Sequence, residues 1–465
     1  MKRRRIRLGA GKLAAPLEPV SPAWNAAPGQ ARLAPPAMTP VVQTGRGRFT
    51  ALVGMAIMLI LVSFGRAHEL FGPTAVIPVG KIMLPVGILL LASRPNFPRR
   101  IAALGTTQGR FFLLFLAAMV ASVPFSLWIG GSVQELMNFA MAQLPYVVIL
   151  IGTGYSEDEI DWLLRGVVLS VVLFAGVIVT GGGSAEEGRV IAGSTYDSNE
   201  IAMMAAVSIP FSLRLVTSKA KLWRGMGLAG LGSALLLVLQ SGSRGGALAV
   251  SAVVLSYLSL FRKAISGGMK AALVAAICIG LALAPGLFLS RLASLGSISQ
   301  DYNVTDEVGR IEIWRRGIGY FLHHPLTGVG LGQFNAAEGQ SGTALVAAGE
   351  GFKWSTAHNS FILPAAELGL PGIIGFLGLF LPIFPLAHRM RRQARLDTRS
   401  ASWAGLGETL AVATIGFLVA GFFLSGTYEP VAMTLAALLI SYAGVVKQVA
   451  KSQTALTLPR SPRQR

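Results

Sequence analysis

GRIEIWRRGIGYFLHHPLTGVGLGQF spans residues 309–334, and AHNSFILPAAELGLPG spans residues 357–372. Most of the chain outside these two segments is apolar enough to lie in lipid. In contrast, the region from Thr305 to Gly372 gathers arginines, histidines and acids outside the hydrophobic runs. The sequence therefore predicts that most residues that do chemistry lie in this region.

The composition is that of a membrane protein. Hydrophobic residues make up 53% of the 465 residues and charged residues 13%, whereas a soluble domain carries about 25% charge. The mean hydropathy is +0.60. The net charge of +19 comes from basic residues in short loops between apolar runs, where they set orientation, so we expect no nucleic-acid partner. A single cysteine, Cys278, excludes a disulfide framework and a thiolate metal site.

Twelve apolar runs predict an all-α polytopic membrane protein with about 12 transmembrane helices. Most runs are near the length that a helix needs to cross about 30 Å of hydrocarbon. They lie at residues 49–65, 74–92, 111–130, 134–152, 161–181, 199–216, 226–241, 245–261, 270–289, 359–387, 404–424 and 431–446.

The predicted organisation has five parts. A disordered basic cytoplasmic tail (1–48) precedes helices 1–9 (49–289), and a large periplasmic loop with an amphipathic helix (290–358) separates them from helices 10–12 (359–446). A second basic cytoplasmic tail follows (447–465).

The distribution of arginine and lysine supports this count. With both termini in the cytoplasm, twelve helices place every basic loop cluster on the cytoplasmic side, as the positive-inside rule requires. The segments that then lie outside include residues 182–198, the turn near residue 243, the long loop, and the turn SGTYEP at 425–430.

Within the long loop, TDEVGRIEIWRRGIGYFLHHP predicts an amphipathic helix that lies along the membrane surface. Thr305 is a candidate N-cap, and the sequence His324-Pro325 ends the helix. An apolar stripe recurs at three- and four-residue spacing, formed by Ile311, Trp314, Ile318 and Phe321. Arg310 stands beside this stripe at the depth of a lipid phosphate, so it is a candidate for binding a phosphorylated substrate or, alternatively, plain membrane lipids.

Two further arginines of this helix are candidate substrate-binding residues. Glu312 precedes Arg316 by four residues, which predicts that these two side chains pair. Arg315 has no partner at that spacing and is therefore the freer candidate.

His358 follows at the point where the chain re-enters the membrane. Asn359 or Ser360 can cap the helix that begins there, and the positive end of that helix favours a nearby anion and a neutral imidazole. His358 is thus a candidate catalytic base. Gly369, Gly372, Gly375 and Gly378 follow at every third position, which predicts close helix packing that holds this histidine in place.

Arg244, in SGSRGGALA, faces outward against the positive-inside rule. Its guanidinium suits a phosphate, and headgroup anchoring is the alternative. Asp197 and Asn199, in TYDSNEIA, open the sixth predicted span; they are candidate substrate contacts or simple helix caps. No nucleotide-binding pattern or HExxH is present, so no cofactor or metal is expected.

Taken together, these segments resemble the O-antigen ligase and O-antigen polymerase family. AHNSFILPAAELGLPG resembles its His-Asn motif, the segment 309–334 its Gly-Arg, tryptophan and His-Pro pattern, and SGSRGGALA its Ser-Arg-Gly turn. DSNEIA is similar to an Asp-Pro-Asn motif, with Ser198 in place of proline. Trp314 departs from members that have leucine there.

The resemblance implies a metal-independent glycosyltransferase in the bacterial inner membrane, with its active site on the periplasmic face. The donor would be a glycan linked to undecaprenyl pyrophosphate, and the acceptor another glycan or a lipid. Carried over, His358 would be the general base, and Arg310 and Arg244 would bind the pyrophosphate. Ligase and repeat-unit polymerase remain alternatives, and a secondary transporter or lipid flippase is the alternative of another class.

Overall fold

The computed structural model describes most of the chain outside its first 48 residues. The described residues are 49–67, 79–180, 184–186, 189–191, 197–261, 263, 265–282, 284, 286–293, 309–347, 355–396 and 400–457. The predicted N-terminal tail, Thr305 and the start of the long loop lie outside them.

Helices make up nearly all of the described structure. The first half contains α1 Ala51–Ser63, α2 Val79–Ala92, α3 Phe97–Ile101, α4 Thr107–Ser122, α5 Ile129–Asn138, α6 Leu144–Thr153, α7 Glu157–Val179, α8 Ser198–Val216 and α9 Lys221–Ser241. The second half contains α10 Arg244–Leu258, α11 Gly267–Ala282, α12 Gly286–Ala293, α13 Arg310–His323, α14 Phe334–Ala347, α15 Ile362–Phe380, α16 Ile383–Ala394, α17 Ala401–Gly421 and α18 Pro430–Thr457.

Short elements join some of these helices. Turns of 3₁₀-helix cover Ala102–Gly105 and Val123–Phe125, and a π-helical turn covers Phe139–Gln143 between α5 and α6. Strands β1 (Ser184–Glu186) and β2 (Arg189–Ile191) form an antiparallel hairpin, with Ser184 opposite Ile191. This hairpin lies where the sequence predicts only an external loop.

In the described part of the chain, eight helical segments are long and apolar enough to cross a membrane. Four shorter apolar helices, at 51–63, 80–92, 244–258 and 267–280, occupy the positions of the other predicted spans. Every predicted apolar run therefore carries a helix, and the polytopic membrane architecture is confirmed. The full count of twelve crossings stays a prediction, because the four short helices fall below the length of a complete span.

Three spans form the centre of the bundle. Most residues of α8, α17 and the first part of α18 are buried against other helices, whereas α9 exposes much of its surface. The last helix continues to Thr457, so the predicted C-terminal tail begins as helix.

Two helices of the polar region differ from the expected ones. Helix α13 begins at Arg310, with Gly309 in an extended N-cap conformation (φ −72°, ψ 162°), and not at Thr305. Its C-cap is His324, as predicted. The second, α15, is broken at Gly369, whose φ of 67° and ψ of −158° are not helical.

The break in α15 receives a glycine-rich turn of the long loop. Gly328 and Gly330 have positive φ, and their segment bonds to α15 through Val329 N to Ala366 O (2.8 Å) and Gly330 N to Glu367 O (3.0 Å). Leu370 N donates to Pro325 O at 2.7 Å. The turn thus satisfies backbone groups that the break in the helix would leave without partners.

The glycines of α15 serve two purposes. A Cβ on Gly375 would lie 2.8 Å from the backbone nitrogen of Phe115, and one on Gly378 would lie 2.1 Å from the Phe111 ring. These two glycines allow the predicted close packing, here against α4. Gly369 instead supplies a backbone conformation.

Candidate functional site

His358 sits at the start of α15 in a conformation that is rare for a residue with a side chain. Its φ is 46°, in the left-handed region, which costs on the order of 1–3 kcal/mol. Its two chain neighbours, Ala357 and Asn359, are buried, whereas His358 itself is half-buried. The surrounding structure therefore holds the backbone in place and leaves the imidazole accessible.

Asn359 is the cap that the sequence predicts. Its Oδ1 accepts hydrogen bonds from the backbone nitrogens of Phe361 (2.8 Å) and Ile362 (3.0 Å), which satisfies donors at the helix start. The same side chain donates through Nδ2 to Phe422 O at 3.1 Å. The residue after His358 is thus tied to the α17–α18 connection as well as to its own helix.

We call residues 421–429, which connect α17 and α18, the anchor turn. Ser360 fixes the start of α15 to it: Ser360 N donates to Gly421 O (2.7 Å), and Ser360 Oγ donates to Leu424 O (2.7 Å). Ser360 also accepts hydrogen bonds from Gly426 N at 2.9 Å and Thr427 Oγ1 at 2.9 Å. The two residues that follow His358 are therefore fixed to the anchor turn by side-chain and main-chain hydrogen bonds.

Helix α13, which carries Arg310, also contacts the anchor turn and the residue before His358. Trp314, one turn after Arg310, donates from Nε1 to Ala357 O at 2.9 Å. Its ring packs edge-on against Phe422, with centroids 5.1 Å apart. Trp314 thus joins α13 both to the residue before His358 and to the anchor turn.

The packing face of α13 differs from the predicted apolar stripe. Ile313 and Gly317 are buried, and Ile313 packs with Phe334, Leu363 and neighbouring apolar residues. By contrast, Ile311 is 44% exposed and Ile318 is 50% exposed. The side of α13 that packs against the protein therefore follows Ile313 and Gly317. The predicted contact of the stripe with the membrane surface stays a prediction, and the exposure of Ile311 and Ile318 leaves them available for it.

Arg244 occupies the first position of α10. Gly242 is in the left-handed conformation (φ 60°), and Ser243 Oγ caps α10 by accepting from Gly246 N at 3.0 Å. The same hydroxyl donates to Asn199 Oδ1 at 2.8 Å. The Ser-Arg-Gly turn and the start of α8 are thus joined directly.

The start of α8 is a helix cap, which is the simpler of the two interpretations that the sequence offered for Asp197 and Asn199. Asp197 accepts from Asn199 N (2.7 Å) and Glu200 N (2.9 Å), and Glu200 bonds back to Asp197 N at 2.9 Å. This is a capping box. Asp197 therefore caps α8, and Asn199 links it to the turn of Arg244.

The turn of Arg244 also reaches the anchor turn. A Cβ on Gly245 would lie 2.8 Å from Phe423 Cβ, so only glycine permits this approach. Phe423 follows Phe422, whose ring contacts Trp314 and whose carbonyl accepts from Asn359. The anchor turn thus contacts the elements that carry His358, Arg310 and Arg244.

The remaining two arginines of α13 pair differently from the prediction. Arg315 Nε lies 2.8 Å from Glu312 Oε2, and its side chain is 78% exposed. Arg316 bonds instead to Glu338 of α14, with Nη2 to Oε2 at 2.7 Å. Arg316 therefore bonds to Glu338 across two helices, while its predicted partner Glu312 bonds to Arg315 and acts on Arg316 through its charge.

Glu338 is a buried carboxylate that the sequence reasoning did not single out. It accepts Arg316 through both oxygens and also Tyr320 Oη at 2.8 Å. This hydrogen bonding raises the pKa of Arg316, against the opposing effect of burial. No local signal could have found the pair, since its members lie 22 residues apart on two helices.

Buried Glu367 and half-buried Tyr428 form a second pair that the sequence reasoning missed. Tyr428 Oη donates to Glu367 Oε2 at 2.9 Å, and Phe334 N donates to Glu367 Oε1 at 3.1 Å. Burial, together with the neighbouring carboxylate, raises the pKa of Tyr428 well above its usual value. A lone acid inside a predicted span was the available signal.

The anchor turn carries one acid of its own. Glu429 lies 3.5 Å from the guanidinium of Arg66. Burial raises the pKa of Glu429, and Arg66 partly opposes that shift. Among the residues that the structure describes, no group of three or more His, Cys, Asp or Glu side chains is arranged to hold a metal ion.

Residues 229–377 match the family model described as O-antigen ligase. The matched region contains Arg244, Arg310 and His358 together with most of the broken helix α15. The anchor turn, which contacts all three elements, lies outside it. No curated protein matches the chain.

Proposed function

We propose, from the match of residues 229–377 to the O-antigen ligase family model, that the chain is a periplasmic-face glycosyltransferase of the inner membrane. Its donor is a glycan linked to undecaprenyl pyrophosphate, and its acceptor is a hydroxyl of lipid A core or of another lipid. The family match supports a membrane protein that transfers glycans. The identity of the donor, the side of the membrane and the roles of the residues belong to the proposal alone.

One observation carries the proposal: a single turn anchors the elements of the three candidate catalytic residues. The anchor turn bonds to both Asn359 and Ser360 beside His358, packs against Trp314 one turn from Arg310, and packs against Gly245 beside Arg244. Each of these three residues is half-buried. Two cations and one base at a membrane-protein site fit a substrate that carries a pyrophosphate next to its reacting carbon.

The chemistry proposed is a single displacement. The acceptor oxygen attacks the anomeric carbon of the donor glycan, the bond from that carbon to the pyrophosphate oxygen breaks, and undecaprenyl pyrophosphate leaves with the bonding electrons. His358 takes the proton of the acceptor hydroxyl. Arg310 and Arg244 neutralise the charge that develops on the leaving pyrophosphate.

The other candidate residues support these three. Asn359 holds the backbone on one side of His358, and Asn199 and Asp197 set the turn of Arg244. Arg315, with its exposed side chain, is a candidate contact for the glycan or for lipid phosphate. Arg316 is the weaker candidate for substrate, because Glu338 already accepts its guanidinium.

The test replaces His358 by Ala in cells that lack the native copy. The matched control is His323→Ala, since His323 is an exposed histidine at the end of α13. After equal membrane levels are confirmed, surface glycan and lipid-linked glycan are compared on one gel. We expect His358→Ala to abolish mature glycan and to accumulate undecaprenyl-linked material, while His323→Ala behaves as wild type.

The length of the accumulated glycan then distinguishes the alternatives. Long chains indicate a ligase, and single repeat units indicate a polymerase of the same family. Unchanged surface glycan in the His358→Ala cells contradicts the catalytic assignment and makes the transporter or flippase alternative the next hypothesis.

A further inference from the structure

A cavity of about 510 Å³ lies far from His358, between the start of α4, the α15–α16 junction and α18. Helix α15 begins beside His358 and ends at Phe380. The cavity is at the other end of that helix, so it is separate from the proposed transfer site.

Three basic side chains line the cavity. They come from three different helices: Arg110 of α4, Arg389 of α16 and Lys447 of α18. Lys447 Nζ donates to Gly105 O at 3.0 Å. No acid in the cavity lining offsets their charge. Such a convergence of cations favours an anion.

A buried donor in the same cavity has no partner. Gln108, which lines the cavity, is 2% exposed, and its Nε2 makes no hydrogen bond to any described residue. An unsatisfied buried amide costs about 1–3 kcal/mol. Gln108 also lies in the first turn of α4, where the positive end of the helix dipole adds to the attraction for an anion.

The rest of the wall is apolar. Pro382, Leu386 and Val446 are among the lining residues. Helix α16 buries Ile383, Ala387 and Met390 on one side and exposes Arg389 and Arg392 on the other, which is the pattern of a helix at headgroup depth. A free anion gains nothing from contact with apolar side chains, whereas the glycerol and upper acyl chains of a lipid can pack against them.

We propose that this cavity binds the phosphate of an anionic phospholipid, with Arg110, Arg389 and Lys447 as the cationic contacts. Basic pockets between membrane helices bind such headgroups. The lipid fixes the relative positions of α4, α16 and α18 at the end of the bundle opposite the transfer site.

The test uses the purified full-length chain in detergent. Thermal unfolding is followed as dioleoylphosphatidylglycerol is added, and in parallel with dioleoylphosphatidylcholine and with inorganic phosphate. The variants are Arg389→Gln, Gln108→Leu and the matched control Arg392→Gln, which removes an exposed arginine of the same helix that does not line the cavity.

We expect phosphatidylglycerol to raise the unfolding temperature of the wild type and of Arg392→Gln equally. Arg389→Gln should bind it about five-fold more weakly, the equivalent of about 1 kcal/mol for one cation near an anionic headgroup. Gln108→Leu should bind it as the wild type does, because the amide nitrogen lies beneath the cavity surface. The unfolding temperature of this variant without lipid should stay equal or rise, because a buried unpaired donor is removed.

Two results overturn the proposal. An equal loss for Arg389→Gln and Arg392→Gln indicates attraction by the whole basic surface and not by the cavity. An equal temperature shift with inorganic phosphate at the same concentration indicates a site for the free anion and not for a lipid. Neither result bears on the transfer site, which the glycan analysis of His358→Ala tests separately.

Discussion

One residue within α15 and one just before it have a positive φ, and the two differ in the reason for this conformation. Gly369, in the break of the helix, has a φ of 67°, and His358, before the helix, has a φ of 46°. A Cβ on Gly369 would lie 2.6 Å from Pro325 O, so glycine is required there by space as well as by conformation. His358 carries a large side chain in a conformation that glycine would adopt at less cost.

The difference separates a structural requirement from a functional one. At residue 369 the sequence takes the residue type that the fold prefers. At residue 358 it keeps a strained histidine and surrounds it with hydrogen bonds from Asn359 and Ser360 to the anchor turn. Strain that is maintained by this many bonds is typical of a site that needs its side chain.

Replacing His358 by Gly gives the largest expected effect. The transfer rate should fall about 10²–10⁴-fold, the usual contribution of a general base, whereas the unfolding temperature should stay equal or rise because the strain is removed. Activity is measured as surface glycan against lipid-linked donor, and stability by thermal unfolding in detergent. A variant that loses stability in step with activity would show that the imidazole is there for packing.

Replacing Gly369 by Ala tests the other half of the comparison. The new Cβ collides with the backbone of Pro325 and Leu326 and must adopt positive φ, so we expect a loss of about 2–4 kcal/mol in stability. Gly319→Ala in α13 is the control, because nothing lies within 4 Å of its Cβ position. There the change should stabilise by about 0.5–1 kcal/mol. Equal unfolding temperatures for the two variants would mean that the break at Gly369 is not required.

Replacing Trp314 by Phe gives the smallest expected effect. The ring contact with Phe422 is kept, but the hydrogen bond to Ala357 O is lost, which costs about 1 kcal/mol and leaves the residue before His358 less firmly held. We expect less than a ten-fold loss of transfer, with Trp314→Ala worse. The control Trp128→Phe changes a tryptophan that is 67% exposed; if it reduces transfer as much, the contact of Trp314 with Ala357 has no special role.

The parts of the site that could be predicted from the sequence are the local ones. The caps formed by Asn359 and Asp197 follow from side chains that reach only two or three residues along the chain. The positions of the helices in most apolar runs follow from hydrophobicity alone. These features depend on interactions that short sequence windows contain.

The missed parts depend on contacts between distant segments. Arg316 pairs with Glu338 because of the face that α13 turns toward α14. The hydrogen bond of Trp314 to Ala357 joins residues 43 positions apart. The spacing of glycines at every third residue predicted only close helix packing for Gly369. Its positive φ is explained by the turn at 325–330, which inserts into the break of α15. Tertiary packing, which the sequence pattern does not encode locally, decides each of these.

The anchor turn makes four of its contacts to Asn359 and Ser360 through main-chain atoms of Gly421, Phe422, Leu424 and Gly426. Main-chain bonds tolerate many side chains but not a shift of register. A change in the length of this connection would therefore displace the bonds that hold Asn359 and Ser360 beside His358. Insertions that adapt such a protein to a new glycan would have to enter elsewhere along the chain.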